Sequence, residues 1–298
     1  MDLLSAALPT PLTELTNKAI SDAGIRLYVK RDDLIHPTVS GNKMRKLKYT
    51  LLEAKTRNET QILTFGGAYS NHLYATAAAG KVLGFETIGI VRGEDAMRNP
   101  SPTLRFCMNQ GMQLHYVTRQ EYKLRHDPEY LRAILAQYGN PFIIPEGGTS
   151  ELALKGVAEL VNEVKEQLGY MPDHFAVPAG TGGTAAGLLS ANANVIAFSA
   201  LKGGEFLQED IQQLLKNGTQ QDNLQLFTNY HFGGYAKWTN ELIAFMEEFR
   251  EDFGIQLEQV YTAKMFFGLF DLIRKGHFEK GKTIVAIHTS GLQGLLSS

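Results

Sequence analysis

A single cysteine, Cys107, stands in the whole chain. That excludes an internal disulfide and any cysteine-based zinc cluster, and it fits a reducing compartment. An excess of positive charge is missing too. The formal net charge is -2, so no overall positive field would hold the chain on nucleic acid or on an anionic membrane. The opening residues MDLLSAALPTPLTEL contain neither a basic leader nor a long apolar core, and neither a signal peptide nor a membrane span is expected. Low-complexity segments and fixed-period repeats are absent. His36, His231 and His288 have no metal-ligand spacing and read as loop or strand-end residues, so no metal is expected. What remains is 298 residues, 44% hydrophobic and 20% charged, enough to bury one large core or two smaller ones. The expectation is a soluble, cytoplasmic globular protein whose partner is a small molecule.

Periodicity shows short apolar runs alternating with amphipathic stretches, which predicts strands crossing over through helices into parallel sheets. QILTF reads as a strand, NHLYATAAAGKVLG as a helix and FETIGIVRG as the next strand. The same pattern recurs in SPTLRFCMNQGMQLHYVT and in YLRAILAQYGNPFIIPEGG. A long helix, ELALKGVAELVNEVKEQLG, leads to strand DHFAVPAG, helix GTAAGLLSA, strand VIAFSAL and helix EDIQQLLKN. The chain closes with helix NELIAFMEEFREDFG, strand LEQVY, helix MFFGLFDLIRKG and strand TIVAIHTSG. This is α/β throughout, with junctions near residues 46 and 150. Residues 1–45 with 150–298 form the larger block and 46–149 the smaller. Several strands run straight into turns of glycine and small polar residues: TFGGAYSN, IPEGGTS, PAGTGGT, HFGGYAK and HTSGLQG. In open parallel sheets such turns collect at the carboxyl ends of the strands, where ligands bind.

Two stretches carry chemistry. In PAGTGGTAAG, Gly180, Gly182 and Gly183 let the backbone approach a ligand, and the following helix offers free N–H groups that suit a phosphate. Gly180, Gly182 and Ala185 also satisfy the G-x-G-x-x-A dinucleotide pattern. That alternative expects an acidic residue at the end of the next strand, where Lys202 stands instead and Glu205 follows only after two glycines. In SGNKMRKLKY, Met44, Leu47 and Leu51 share a helical face at about 100° per residue. Lys43 borders that face, Lys46 lies beside Lys43, and Arg45 and Lys48 point away as solvated surface. Ser40 or Asn42 can cap the helix, which puts Lys43 at its positive end, where the neutral amine is favoured. On the helix alone, a basic face whose lysines snorkel to water is the alternative. A neutralisable lysine, a second lysine one turn on and a phosphate cradle together suggest pyridoxal 5'-phosphate, an aldehyde that carries a phosphate.

The motifs KRDDLIHPTVSGNKMRKLKY, GGAYSNHLYATAAA, IPEGGTS, AGTGGTAAG, GGYAK, VYTAK and IHTSG, in this order and across nearly the whole chain, resemble the 1-aminocyclopropane-1-carboxylate deaminase and D-cysteine desulfhydrase family. The resemblance implies a fold of the tryptophan-synthase-β type: two open, twisted, mostly parallel sheets flanked by helices, with the larger block holding pyridoxal phosphate. It also implies a homodimer. Lys43 matches the family's Schiff-base lysine, and Lys46 the lysine that helps hold the cofactor phosphate. Gly180, Thr181, Gly182, Gly183 and Thr184 match the phosphate loop. Ser70, Asn71 and His72 match the turn that binds the substrate carboxylate and contacts the cofactor ring, although Ser70 and Asn71 also suit simple helix caps. Tyr235 and Tyr261 match two active-site tyrosines that relay protons; among 12 tyrosines they would otherwise read as packing.

Thr262 departs from the deaminases, which usually place a glutamate there to keep a proton on the cofactor's pyridine nitrogen. Threonine carries no charge to hold that proton. Thr262 and Thr289 both resemble the desulfhydrase branch. Ser40 stands where many relatives have a further glycine, and the loop LKGGEFLQED is shorter than in conventional members. The expected activity is release of ammonia and a 2-oxo acid from a small amino acid: D-cysteine, giving pyruvate and sulfide, or 1-aminocyclopropane-1-carboxylate, giving 2-oxobutyrate. The competing expectations are a nicotinamide-dependent oxidoreductase built on the GTGGTA turn and a pyridoxal-phosphate-binding protein without catalysis.

Overall fold

The computed structural model describes residues 4–215, 221–289 and 295. The chain opens with β1 (Leu12–Leu15), α1 (Lys18–Ala23) and β2 (Arg26–Lys30), then enters α2 (Asn42–Thr56). A contiguous block follows: β3 (Gln61–Gly67), α3 (Asn71–Leu83), β4 (Glu86–Arg92), α4 (Asp95–Arg98), α5 (Pro102–Asn109), β5 (Gln113–Val117), α6 (Pro128–Gln137) and β6 (Phe142–Ile144). After α7 (Glu151–Leu168) come β7 (His174–Ala179), α8 (Gly183–Ser190), β8 (Val195–Ser199), α9 (Leu207–Leu214) and β9 (Leu224–Phe227). The last elements are α10 (Asn240–Phe253), α11 (Thr262–Arg274) and β10 (Thr283–Ile287).

Local chemistry explains many of the helix ends. Asn17, Ser70, Ser101, Asp127, Ser150 and Thr239 each accept a first-turn N–H, and Gly24, Gly84, Gly169 and Gly254 close helices in the left-handed conformation. The strands form two sheets. The larger has the order β1-β2-β10-β7-β8-β9, with only β1 antiparallel to its neighbour; the smaller, β5-β4-β3-β6, is parallel throughout. Alternation along β10 shows how helices cover both faces of the larger sheet. Ile284 and Ala286 pack with Phe245, Phe249 and Phe266 of α10 and α11, whereas Val285 and Ile287 pack with Val157 and Leu188 of α7 and α8.

The structure corrects four expectations. Arg45 is not solvated surface: it is buried, with Nε and Nη2 donating to Asp32 at 2.6 and 2.7 Å and Nη1 to Glu163 at 2.9 Å. Helix α7 crosses α2 on that side, and Gly156 makes the crossing close, since a Cβ there would stand 2.0 Å from the Arg45 carbonyl oxygen. Lys48 is likewise paired, with Glu159 at 2.6 Å. Neither Ser40 nor Asn42 caps α2. Gly41 occupies the cap position at φ 64 with no side-chain acceptor, and the backbone N–H of Asn42 donates to the Thr289 carbonyl at 2.9 Å. LEQVY is a turn, because the Glu258 carboxylate gathers the N–H groups of Val260, Tyr261 and Thr262 at 2.7, 2.9 and 2.6 Å. Elements β1, α1, β2 and β9 carry too little periodic signal to stand out in the sequence, and Lys216 and Asn217, expected to end a helix, lie outside the described residues.

Candidate active site

Helix α2 brings Lys43 and Lys46 to the carboxyl ends of both sheets. Lys43 is half-buried and its Nζ donates to Oδ1 of Asn42 at 2.8 Å. Burial lowers its pKa to about 8. The Asn42 amide in turn donates to Thr184 Oγ1 at 2.9 Å, which ties the lysine to the first turn of α8. Lys46 is buried, and its Nζ donates to the Gly147 carbonyl and to Thr149 Oγ1, both at 3.1 Å. Burial first, and then the Lys43 charge, hold its pKa well below the ordinary lysine value.

The glycine loop closes against these groups. A Cβ on Gly183 would stand 2.7 Å from Thr149 Oγ1 and 2.8 Å from Lys46 Nζ, so the space is kept by the missing side chain. Thr149 Oγ1 is 2.8 Å from Thr181 Oγ1. Lys46, Thr149, Thr181 and the start of α8 thus form a cradle of amine, hydroxyls and first-turn helix N–H groups beside Gly183, and among the described residues no carboxylate is bonded to Lys46. That donor set fits a phosphate. Thr149 escaped the sequence reading because a hydroxyl after two glycines has no signature of its own.

Ser70 caps α3, its Oγ accepting the Leu73 N–H at 3.2 Å, so its hydroxyl proton remains available. Asn71 begins the helix. His72 is buried with Nε2 2.8 Å from Thr64 Oγ1, and burial followed by the charges of Lys43 and Lys46 pushes its pKa well below the usual histidine value. It packs on the Gly148 turn, where a Cβ would be 3.3 Å from its Nδ1.

Tyr261 lies against Gly180 of the glycine loop, where a Cβ would be 3.0 Å from its ring. Tyr235 meets Tyr261 edge to face, with ring centroids 6.0 Å apart. Burial is the main cause that raises both phenol pKa values, so both stay protonated at neutral pH. Lys264, also buried, donates to the Gly234 carbonyl at 2.7 Å and anchors the loop that carries Tyr235. Thr262 is turned into its own turn: its hydroxyl donates to the Glu258 carbonyl at 3.3 Å and accepts the Glu258 N–H at 3.1 Å. Thr289 is buried beside the start of α2, and Ser290 and Gly291 lie outside the described residues.

Two parallel-sheet layers that converge on a depressed lysine amine, a phosphate cradle and a pair of protonated phenols define a pyridoxal-phosphate enzyme of fold type II. A family model described as "Pyridoxal-phosphate dependent enzyme" matches residues 3–290, and the chain belongs to that family. It is 32% identical to the Arabidopsis thaliana protein named bifunctional D-cysteine desulfhydrase/1-aminocyclopropane-1-carboxylate deaminase, mitochondrial, over 97% of this chain and 78% of the relative. It is 28% identical to a D-cysteine desulfhydrase of Serratia proteamaculans, over 100% and 95% of the two chains. The solved structure of a 1-aminocyclopropane-1-carboxylate deaminase homologue superposes with a TM-score of 0.80 at 31% identity, covering 96% of this chain and 90% of that one. The chain is therefore an enzyme dependent on pyridoxal phosphate, and neither the oxidoreductase nor the non-catalytic alternative is favoured.

Proposed function

We propose that the enzyme is a lyase that releases ammonia and a 2-oxo acid from a small amino acid, and that D-cysteine suits the site better than 1-aminocyclopropane-1-carboxylate. The observation that carries the lyase assignment is the pairing on one helix of Lys43, with a pKa of about 8, and Lys46 in the phosphate cradle. Lys46, Thr149 and residues Gly180 to Thr184 would hold the cofactor phosphate. Pyridoxal phosphate, when bound, supplies an aldehyde for amines and a ring that draws electrons from the substrate α-carbon.

The protein's own groups supply the rest. Lys43 takes the proton from the substrate α-carbon, a task suited to an amine whose pKa lies near the working pH. Ser70 and Asn71, at the positive end of α3, hold the substrate carboxylate. The phenols of Tyr235 and Tyr261 stay protonated and provide a proton for the departing sulfur. D-Cysteine and water then leave as pyruvate, hydrogen sulfide and ammonia. Thr262 supports this substrate over the cyclopropane, because an uncharged hydroxyl that spends its proton on the Glu258 carbonyl cannot strengthen the cofactor ring as an electron sink.

The deciding assay measures 2-oxo acid release from D-cysteine, L-cysteine, D-serine and 1-aminocyclopropane-1-carboxylate. Pyruvate from D-cysteine at the highest kcat/KM is expected, from a yellow protein bleached by borohydride. A colourless protein that pyridoxal phosphate cannot reconstitute would sink the proposal. The two sheets support a larger cofactor-holding domain of residues 1–45 and 150–298 and a smaller one of 46–149; the family resemblance and the composition add a cytoplasmic homodimer. Sedimentation and cell fractionation test the last two points; among the described residues no helix is long and apolar enough to cross a membrane.

A further inference from the structure

Thr64 lies within β3, fully buried beneath the start of α3. Its Oγ1 is 2.7 Å from the Ile144 carbonyl oxygen on the neighbouring strand β6 and 2.8 Å from His72 Nε2. A hydroxyl has one proton. Two oxygens at hydrogen-bond distance need that proton between them, so Thr64 donates to Ile144 and can only accept from the imidazole. The hydrogen of a neutral His72 therefore sits on Nε2. Nδ1 is left as a bare lone pair, buried and without a partner among the described residues. The Gly148 turn packs against this edge of the ring, and a Cβ there would be 3.3 Å from Nδ1. Lys46 borders the same turn, its Cβ lying 3.7 Å from that position.

We propose that Thr64 is a positioning residue that fixes the tautomer of His72, so that the buried ring edge beside Gly148 and Lys46 is held as a hydrogen-bond acceptor at Nδ1 and offers no donor there. A group that reaches this edge must be an N–H or O–H donor. A carboxylate, which can only accept, is repelled by that lone pair and falls to Ser70 and the N-terminus of α3. This differs from the role that the Ser-Asn-His turn suggests in the sequence, where all three residues share the substrate carboxylate. The mechanistic consequence rests on the lyase assignment above; the tautomer itself does not.

The test is 15N NMR of histidine-labelled, cofactor-free protein at neutral pH, with the His72 signals identified by their loss in His72→Gln. The expected spectrum has a protonated Nε2 and an unprotonated Nδ1, unchanged in Thr64→Ser and lost as a single tautomer in the near-isosteric Thr64→Val. Pyridoxal phosphate binding should leave Nδ1 unprotonated. In the loaded enzyme Thr64→Val should lower kcat/KM roughly tenfold, the size of one hydrogen bond, while Thr64→Ser stays within about twofold. A wild-type His72 protonated at Nδ1, or a Thr64→Val spectrum identical to wild type, overturns the proposal. Absence of 2-oxo acid release with the expected tautomer present would overturn the lyase assignment alone.

Discussion

Lys43 and Lys46 are one helical turn apart, yet they are prepared for different tasks. Among the described residues Lys43 donates to its neighbour Asn42 alone, and its amine is kept near a pKa of 8 by desolvation. Lys46 is packed among a carbonyl and a hydroxyl beside Gly183 and gains a counter-charge when a phosphate arrives. Lys46→Ala should weaken retention of pyridoxal phosphate, read by dialysis and absorbance, while leaving a borohydride-trappable adduct. Lys43→Ala should abolish the adduct and retain non-covalent binding; equal effects of the two changes would contradict the separate roles. The pH dependence follows from the same burial. Below about pH 8 Lys43 is mainly protonated and above it mainly neutral, so acylation of cofactor-free Lys43, followed by mass spectrometry, should rise roughly tenfold between pH 7 and 9. A surface lysine reacts far less at both and climbs roughly a hundredfold over the same interval with no plateau, so the higher rate and the levelling off above pH 8 mark Lys43.

Helix α2 is held from behind by charge. Besides Asp32 and Glu163 on Arg45, the buried amine of Lys30 donates to Glu163 at 2.5 Å and to the Thr10 carbonyl at 2.7 Å, and Thr10 Oγ1 donates to Asp32 at 2.9 Å. Removing one member strands the others. Arg45→Met should cost about 3–5 kcal/mol in urea unfolding, because buried Asp32 loses its charged partner and half-buried Glu163 keeps only Lys30; a change below about 1 kcal/mol would show that water reaches Asp32. None of this was legible locally. Arg45 met its partners 13 and 118 residues away in the chain, and a periodicity argument counts every arginine as surface. Helices α3 and α7 were legible in their periodicity, and Ser70 announced the start of α3; α1, capped by Asn17, was too short to show. LEQVY alternates like a strand, but Glu258 takes three N–H groups that a sheet would need.

Across the whole molecule, several of the turns quoted from the sequence come together around α2 and the glycine loop: Thr289 at Asn42, Asn42 at Thr184, Gly147 and Thr149 at Lys46, and Gly180 at Tyr261. Their convergence was legible because parallel sheets place all such turns at one end. The partners inside the site were not, since a sequence gives no distances between turns. Strand order adds something different. The last strand, β10, lies between β2, from the first thirty residues, and β7, whereas the smaller sheet is complete within residues 61–144. A growing chain on the ribosome can finish the smaller sheet early but must hold two open edges in the larger one until Thr283–Ile287 emerges. Nascent chains stalled before Thr283 should therefore be protease-resistant across residues 61–144 and cut readily on either side, so the cofactor site first exists only after β10 has emerged and paired with β2 and β7.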